Sequence, residues 1–367
     1  MADATVIHHS STGGGADPLG DRPHTPLVPL ETPYALPRAV AVDAVDSVDY
    51  AALERAHPAY GDFGSRLGST PLVPVPGPDG GAEVLAKCEW HNPAGSIKDR
   101  VAYALLGSAL QAHGDRPLTE LRLLEYSGGN LALALSGLCA DLGIAARFML
   151  SSASPGSLLD TLAARGARVD LIDKELGFLG VVRAAVETAR REPEWTLLYQ
   201  HRNTANLFFH ERSTGAEIVD GLKGRKPAAW VASIGTGGTL IGVLRALRAA
   251  HPDVRAVGVT PGELPYGSEQ PPNGLPKYGG SGGMGDGVRQ PFVTLHDDEI
   301  DHHTITYPEA VAGMAEFRDR TGVRIGSSAA ANWLVAREIA AALPPSATVV
   351  TVFPDAGTPE EWERIDR

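Results

Sequence analysis

From Ser69 onward the chain alternates short apolar runs with longer helical ones, and this alternation constrains the fold more than any other feature. After an extended segment at 69–75, strands are expected at 83–87, 121–126, 147–150, 167–172, 197–199, 228–234, 254–259 and 347–353. Helices are expected at 50–55, 101–110, 130–142, 158–165, 178–190, 213–222, 239–249, 308–321 and 329–342. Strands separated by helices of ~10–15 residues imply parallel sheets covered on both faces, an α/β fold. The Gly/Pro-rich stretch 261–296 is too long for a plain linker, and loops of that size inside compact domains are usually functional.

With 367 residues at 43% hydrophobic content, the chain can bury a large core in two domains or one large one. A net charge of −12 and a pI near 5.5 argue against nucleic acid or an anionic membrane as partner. Cys88 and Cys139 lie in apolar contexts and read as buried thiols of a reducing compartment. No apolar run reaches the ~18 residues of a membrane span, and the acidic N-terminus has no signal-peptide core, so a cytoplasmic protein is expected. Residues 1–35, rich in Ser, Gly, Pro, Asp and His, are expected to be a disordered extension. His8 and His9 read as solvated, and no metal site with convincing spacing is present.

Four turns marked by glycine or serine carry the chemistry. The first is Asn92-Pro93-Ala94-Gly95-Ser96-Ile97-Lys98-Asp99-Arg100, with Gly95 and Ser96 as turn and cap of a helix whose first turn holds Lys98. A lysine amine beside a helix N-terminus feels a positive environment that disfavours its charged form, so it can form a Schiff base with an aldehyde cofactor. The second is Ser127-Gly128-Gly129-Asn130, between an apolar strand and an apolar helix. The third, Gly235-Thr236-Gly237-Gly238-Thr239, follows a strand and opens a helix, as a cradle for a monophosphate ester would. It lacks the lysine of a nucleotide P-loop and does not read Gly-x-Gly-x-x-Gly, so a dinucleotide is poorly supported. The fourth is Gly326-Ser327-Ser328, opening another helix with two hydroxyls.

Together, in this order, the turns resemble the fold-type II pyridoxal phosphate enzymes of the cysteine synthase and cystathionine β-synthase family. The lysine segment is similar to that family's Asn-Pro-x-x-Ser-x-Lys-Asp-Arg, and Gly235 to Thr239 to its Gly-Thr-Gly-Gly-Thr phosphate cup. Gln200, Asn203, Ala205-Asn206, His210, Thr214-Gly215 and Glu217-Ile218 follow its Gln-x-x-Asn-x-Ala-Asn…His…Thr-Gly-x-Glu-Ile run, and the likeness spans roughly 60–355. It implies two open twisted sheets with helices on both faces. A smaller mobile domain at 92–203 would carry the asparagine loop, and 36–91 plus 204–367 would form the larger cofactor-binding domain. It also implies pyridoxal 5′-phosphate as cofactor, a small amino-acid substrate and a homodimer. Lys98 would bind the cofactor aldehyde and later take the substrate Cα proton. Gly235, Thr236, Gly237, Gly238 and Thr239 would hold the phosphate, Asn130 the ring 3′ oxygen, and Ser328 (Ser327 if the register slips by one) the pyridine nitrogen. Ser127, Gly128, Gly129 and Gln200 would contact substrate. A neutral hydroxyl at the pyridine nitrogen makes the ring a weaker electron sink, suited to β-elimination. The implied reaction is β-replacement on an activated L-serine derivative, of the O-acetyl- or O-phosphoserine type, through an aminoacrylate.

Some positions depart from the family. Its asparagine loop usually reads Thr-Ser-Gly-Asn-Thr. Here Gly128 and Leu131 remove two hydroxyls, so the carboxylate site must be rebuilt from backbone N–H groups or other residues. Trp90 and His91 add bulk before the lysine motif, with His91 a candidate substrate contact. Gly279 to Gly285 stands where the family has a closing loop, and its extra glycines suggest a mobile lid. Alanine at 356 replaces a hydroxyl in Pro354-Asp355-Ala356-Gly357. Two other readings compete with it. A β-eliminating ammonia-lyase of the same fold is opposed by the Gly-Thr-Gly-Gly-Thr cup and the Ser-Ile-Lys-Asp-Arg context. A catalytically silent binding module is opposed by the intact lysine and cup.

Overall fold

The computed structural model describes residues 48–127, 129–267, 284–285 and 287–367. The chain enters through helices α1 (Tyr50–Ala56) and α2 (Pro58–Arg66), then the hairpin β1 (Leu72–Val75) and β2 (Glu83–Cys88). Next come α3 (Lys98–His113), β3 (Arg122–Tyr126), α4 (Asn130–Leu142), β4 (Ala145–Ser151), α5 (Gly156–Ala164), β5 (Arg168–Ile172), α6 (Gly177–Arg191) and β6 (Thr196–Leu197). Helix α7 (Ala205–His210) runs through a π-helical turn (Glu211–Gly215) into α8 (Ala216–Gly221). Strand β7 (Pro227–Ser233), α9 (Gly238–Ala250), β8 (Arg255–Pro261), α10 (Pro291–Thr294) and β9 (Ile300–Ile305) follow. The chain closes with α11 (Tyr307–Thr321), α12 (Ser327–Ala341), β10 (Thr348–Phe353) and α13 (Pro359–Ile365).

The strands form two sheets, ordered β1-β2-β10-β7-β8-β9 and β5-β4-β3-β6. Period-2 alternation splits each sheet's side chains between two cores. In the larger sheet Trp230 and Ala232 pack toward α9 while Ala229 and Val231 pack toward α11 and α12. In the smaller sheet Leu123 and Phe148 join the core with α3 and α4, while Leu124 and Met149 join α6. Both sheets are therefore covered on both faces, as the helix–strand alternation requires.

Four local expectations need correction. The pair β1–β2 is antiparallel while every other strand pairing among the described residues is parallel, because a short connection rather than a helix joins those two strands. Strand β9 was not expected: its sequence Ile-Asp-His-His-Thr-Ile lies at a sheet edge with four polar residues and so shows no apolar run. Helix α2 was missed because two glycines and a leading proline hide it, and only Tyr60 and Phe63 are buried. The helix expected at 213–222 begins at Ala205, its first turns built on buried polar residues, Asn206, His210 and Thr214, instead of an apolar stripe. The extension 1–35, with His8 and His9, lies outside the described residues, as do Gly128 and most of the glycine-rich lid segment.

Candidate active site

Five of the chain's turns meet at the carboxyl ends of parallel strands, the crevice where open α/β sheets bind ligands. The lysine turn follows β2, the Gly-Thr cradle follows β7, and Pro354-Asp355 follows β10. Ser127 to Asn130 follows β3, and Gln200 lies shortly after β6. The lysine turn is stitched to the end of β10: Ile97 N–H donates to the Pro354 carbonyl at 2.8 Å, and Ser96 pairs with Asp355 in an isolated bridge.

Lys98 is the first residue of α3. The helix cap is Ile97, one residue later than the expected Ser96, and no side chain caps it. Ser96 instead accepts the Lys98 N–H at 3.2 Å and donates to Asp99, whose carboxylate also accepts the Ala94 N–H. Asp99 thus ties the turn from inside, and burial raises its pKa to about 6 against those hydrogen bonds. The Lys98 side chain is half-buried, yet its amine loses water. Burial lowers its pKa to about 8, with Glu125 opposing the shift.

Sequence reasoning missed Glu125. It lies inside β3, fully buried, and its carboxyl accepts from the N–H groups of Tyr126 and Gln200 at 3.1 and 3.3 Å. Burial raises its pKa to about 8 despite those bonds. The available signal was a lone charge in an apolar strand. His201 was also missed. Its ring stacks on Tyr126 at 5.5 Å, and the Tyr126 hydroxyl lies 2.8 Å from Nδ1. Burial, aided by the Lys98 charge, lowers its pKa to about 3, so the imidazole is neutral. Tyr199, just before these residues, holds a left-handed backbone (φ 58°), a strained conformation of the kind that collects at functional sites.

The asparagine turn is arranged differently from a simple Asn cap. Gly129 is the N-cap of α4, and Ser127 Oγ accepts from the N–H groups of Gly129 and Ala132, both at 3.3 Å. Asn130 Nδ2 donates to Asp355 at 2.8 Å, joining the small sheet to the large one. One amide hydrogen is held by a carboxylate, and the second is left for a ligand acceptor. Gln200 turns inward, its amide donating to the Tyr126 carbonyl at 2.7 Å and more weakly to Glu125. Its side-chain amide therefore braces the end of β3. His91 is exposed at the rim, its ring 5.8 Å from Trp90.

In the Gly-Thr cradle, Gly237 has φ 84° and is the N-cap of α9, with no side chain capping the helix. A Cβ there would lie 2.3 Å from Val293, so both the backbone and the packing demand glycine. Thr236 Oγ accepts from Asn206 Nδ2 at 3.1 Å and Gly238 N–H at 3.2 Å, which leaves the hydroxyl hydrogen free to donate. Ser327 is engaged by Glu361, whereas no described residue bonds the Ser328 side chain. Of the two serines, Ser328 is the one left for a ligand.

These features fit pyridoxal 5′-phosphate. A desolvated amine follows β2, and the uncapped N-terminus of α9 with the free Thr236 hydroxyl hydrogen follows β7, the two strands flanking β10 in parallel, an arrangement suited to an anionic ester. The Asn130 amide and the Ser328 hydroxyl remain for the ring. Fold and site together define a pyridoxal-phosphate enzyme of the two-sheet class.

Comparison with known proteins agrees. The family model described as pyridoxal-phosphate dependent enzyme matches residues 65–355. Cysteine synthase B of Escherichia coli (strain K12) is 33% identical over 296 residues, covering 79% of this chain and 91% of its own. The N-(2-amino-2-carboxyethyl)-L-glutamate synthase of Ralstonia nicotianae is 30% identical over 298 residues, covering 79% and 85%. Among solved structures, an O-ureido-L-serine synthase superposes with a TM-score of 0.72 at 26% identity, covering 82% of this chain and 92% of its own. An O-acetylserine dependent cystathionine beta-synthase from Helicobacter pylori gives 0.71 at 26%, covering 80% and 94%. The chain belongs to the pyridoxal-phosphate dependent enzymes, within the cysteine synthase and cystathionine β-synthase family.

Proposed function

We propose that this enzyme replaces the β-substituent of an activated L-serine, taking an O-acyl or O-phospho leaving group and adding a nucleophile to the β-carbon. The observation that carries the reading is the Lys98 amine, its pKa lowered by burial to about 8, in a turn after β2 while the Gly-Thr cradle follows β7, the two strands that flank β10 in parallel. When bound, the cofactor supplies a conjugated electron sink for the substrate α-carbon.

The chain's own residues do the rest. Lys98 would anchor the cofactor, and its free amine would take the Cα proton, a task suited to a base whose pKa lies near neutrality. Thr236, Thr239 and the amides of Gly235, Gly237 and Gly238 hold the phosphate. Asn130, held by Asp355, would donate to the ring oxygen, and Ser328 would meet the pyridine nitrogen. Ser127 and the backbone of Gly128 and Gly129 receive the substrate carboxylate. Gln200 contributes by bracing that turn. We assign residues 92–203 to the domain that moves on substrate binding, with 36–91 plus 204–367 as its base, in a cytoplasmic homodimer.

The relatives differ in the nucleophile that their names imply: sulfide for cysteine synthase, an amine for the glutamate derivative, a thiol for cystathionine. The test is a panel of O-acetylserine and O-phosphoserine against sulfide, homocysteine and glutamate, with product identified by mass spectrometry. Formation of one β-substituted alanine at steady state is expected. Release of pyruvate and ammonia with every nucleophile present would establish the lyase reading instead.

A further inference from the structure

Behind the cradle, the family-like run after Gln200 leaves a buried chain of polar groups that the proposed chemistry does not use. His210, fully buried at the end of α7, has Nε2 3.2 Å from Thr239 Oγ and Nδ1 2.9 Å from Thr214 Oγ. Thr214 lies in the π-helical turn, a helix distortion that often marks functional positions. The close approach of α7 to α9 makes the contact possible. A Cβ at Gly242 would lie 2.4 Å from the Leu207 carbonyl and 2.8 Å from His210 Cβ. Burial, with the charges of Arg100 and Lys98, keeps the ring neutral, so it carries one N–H.

Both partners of the ring are hydroxyls, which can donate or accept, so the three groups can be polarised in either direction. A phosphate ester in the cradle removes that freedom, because it only accepts from Thr239. The Thr239 oxygen must then receive its hydrogen bond from Nε2–H, and Nδ1 must accept from the Thr214 hydroxyl. Thr236 already shows the same arrangement from other donors: Asn206 Nδ2, its orientation fixed by the Gln200 carbonyl at 2.9 Å, and the Gly238 N–H both point at its oxygen.

We propose that His210 is a positioning residue, which as the Nε2–H tautomer, its Nδ1 accepting from Thr214, aims the Thr239 hydroxyl hydrogen at the cofactor phosphate. The role rests on the reading of Gly235 to Thr239 as the phosphate cradle. A polar chain serving only the fold would have no preferred tautomer tied to cofactor binding.

The decisive measurement is made on the wild-type holoenzyme, with one variant used only to assign the signal. In holoenzyme labelled with 15N-histidine, the His210 signal, found among 12 histidines by its loss in His210→Gln, is expected to be the Nε2–H tautomer. Cofactor dissociation constants from fluorescence titration of the apo-protein supply the second readout. His210→Leu is expected to weaken binding by about tenfold to a hundredfold, the range for a hydrogen bond to a charged partner. His210→Gln, whose amide can reach the Nε2 position, stays within about threefold of wild type by the same reasoning. In a Thr239→Ala background His210→Leu costs little more, since the two groups act in series. An Nδ1–H tautomer in the holoenzyme, or fully additive losses from His210→Leu and Thr239→Ala, overturns the proposal. If pyridoxal without its phosphate bound as tightly as the full cofactor, the cradle reading itself would fall, and this inference with it.

Discussion

Two lysines eleven positions apart, Lys87 and Lys98, are both drawn out of water, and their surroundings differ in kind. Lys87 in β2 donates to Glu217 at 2.6 Å and to the Thr70 carbonyl. Glu217 also takes two bonds from Arg100, which in turn forks onto buried Glu89. Burial alone would raise the Glu217 pKa, but its bonds to Arg100 and Lys87 hold it down at about 2. Lys98, on the same helix as Arg100, faces a crevice with a protonatable Glu125 nearby and titrates near 8. Charges that are fully paired are structural and stay charged, whereas an amine stripped of water without a close counter-ion becomes chemically available. The paired cluster clamps β2, α3 and α8 together directly below the residue that reacts, so rigidity and reactivity are adjacent but separate.

The sharpest way to break this contrast is Lys98→Ala. Covalent cofactor attachment, read from its visible absorbance band, should vanish, and turnover should fall by about 10²–10⁴ or more. The apo-protein should melt no lower than wild type, since no paired charge is lost. Glu89→Gln or Arg100→Met strikes the other region and leaves a buried charge uncompensated. Urea denaturation should show a loss of about 3–5 kcal/mol, with normal cofactor absorbance in whatever fraction still folds.

The pH dependence of apo-protein stability separates the two regions by sign. Glu217, depressed from 4.5 to about 2, gives stability that is complete above pH 4.5 and lost as pH falls toward 2. Glu125, raised from 4.5 to about 8, does the reverse: the folded state holds its proton, so stability declines as pH rises across that window. Lys98, lowered from 10.5 to about 8, makes stability rise from pH 8 to 10.5. Chemical denaturation at stepped pH should show the decline from 4.5 to 8 disappear in Glu125→Gln and the rise above 8 disappear in Lys98→Met. Because Glu125 raises the Lys98 pKa, Glu125→Gln should shift the pH midpoint of cofactor attachment to apo-protein below that of wild type. A midpoint moving upward would show that Glu125 does not act on the amine through its charge.

The alternation of apolar runs was enough to read the helices and strands between 83 and 191 and between 227 and 261, because each buries a continuous face. Asn130–Leu142 begins and ends where the apolar run does. The lysine turn and the Gly-Thr cradle were equally readable, since glycine, proline and hydroxyl residues at strand ends are set by local backbone demands. Elements whose stabilisation lies elsewhere were hidden: edge strand β9, the glycine-broken α2, and α7 with its buried Asn and His. The contacts of Glu125 with Gln200, of His201 with Tyr126 and of Asp355 with Asn130 join residues 75 to 225 positions apart along the chain. Local sequence determined which backbone shapes were available and which reactive groups they carried. The tertiary fold alone decided which of those groups lost their water and which found a partner. Desolvation and pairing depend on every element packed around a group, and no window of sequence contains them.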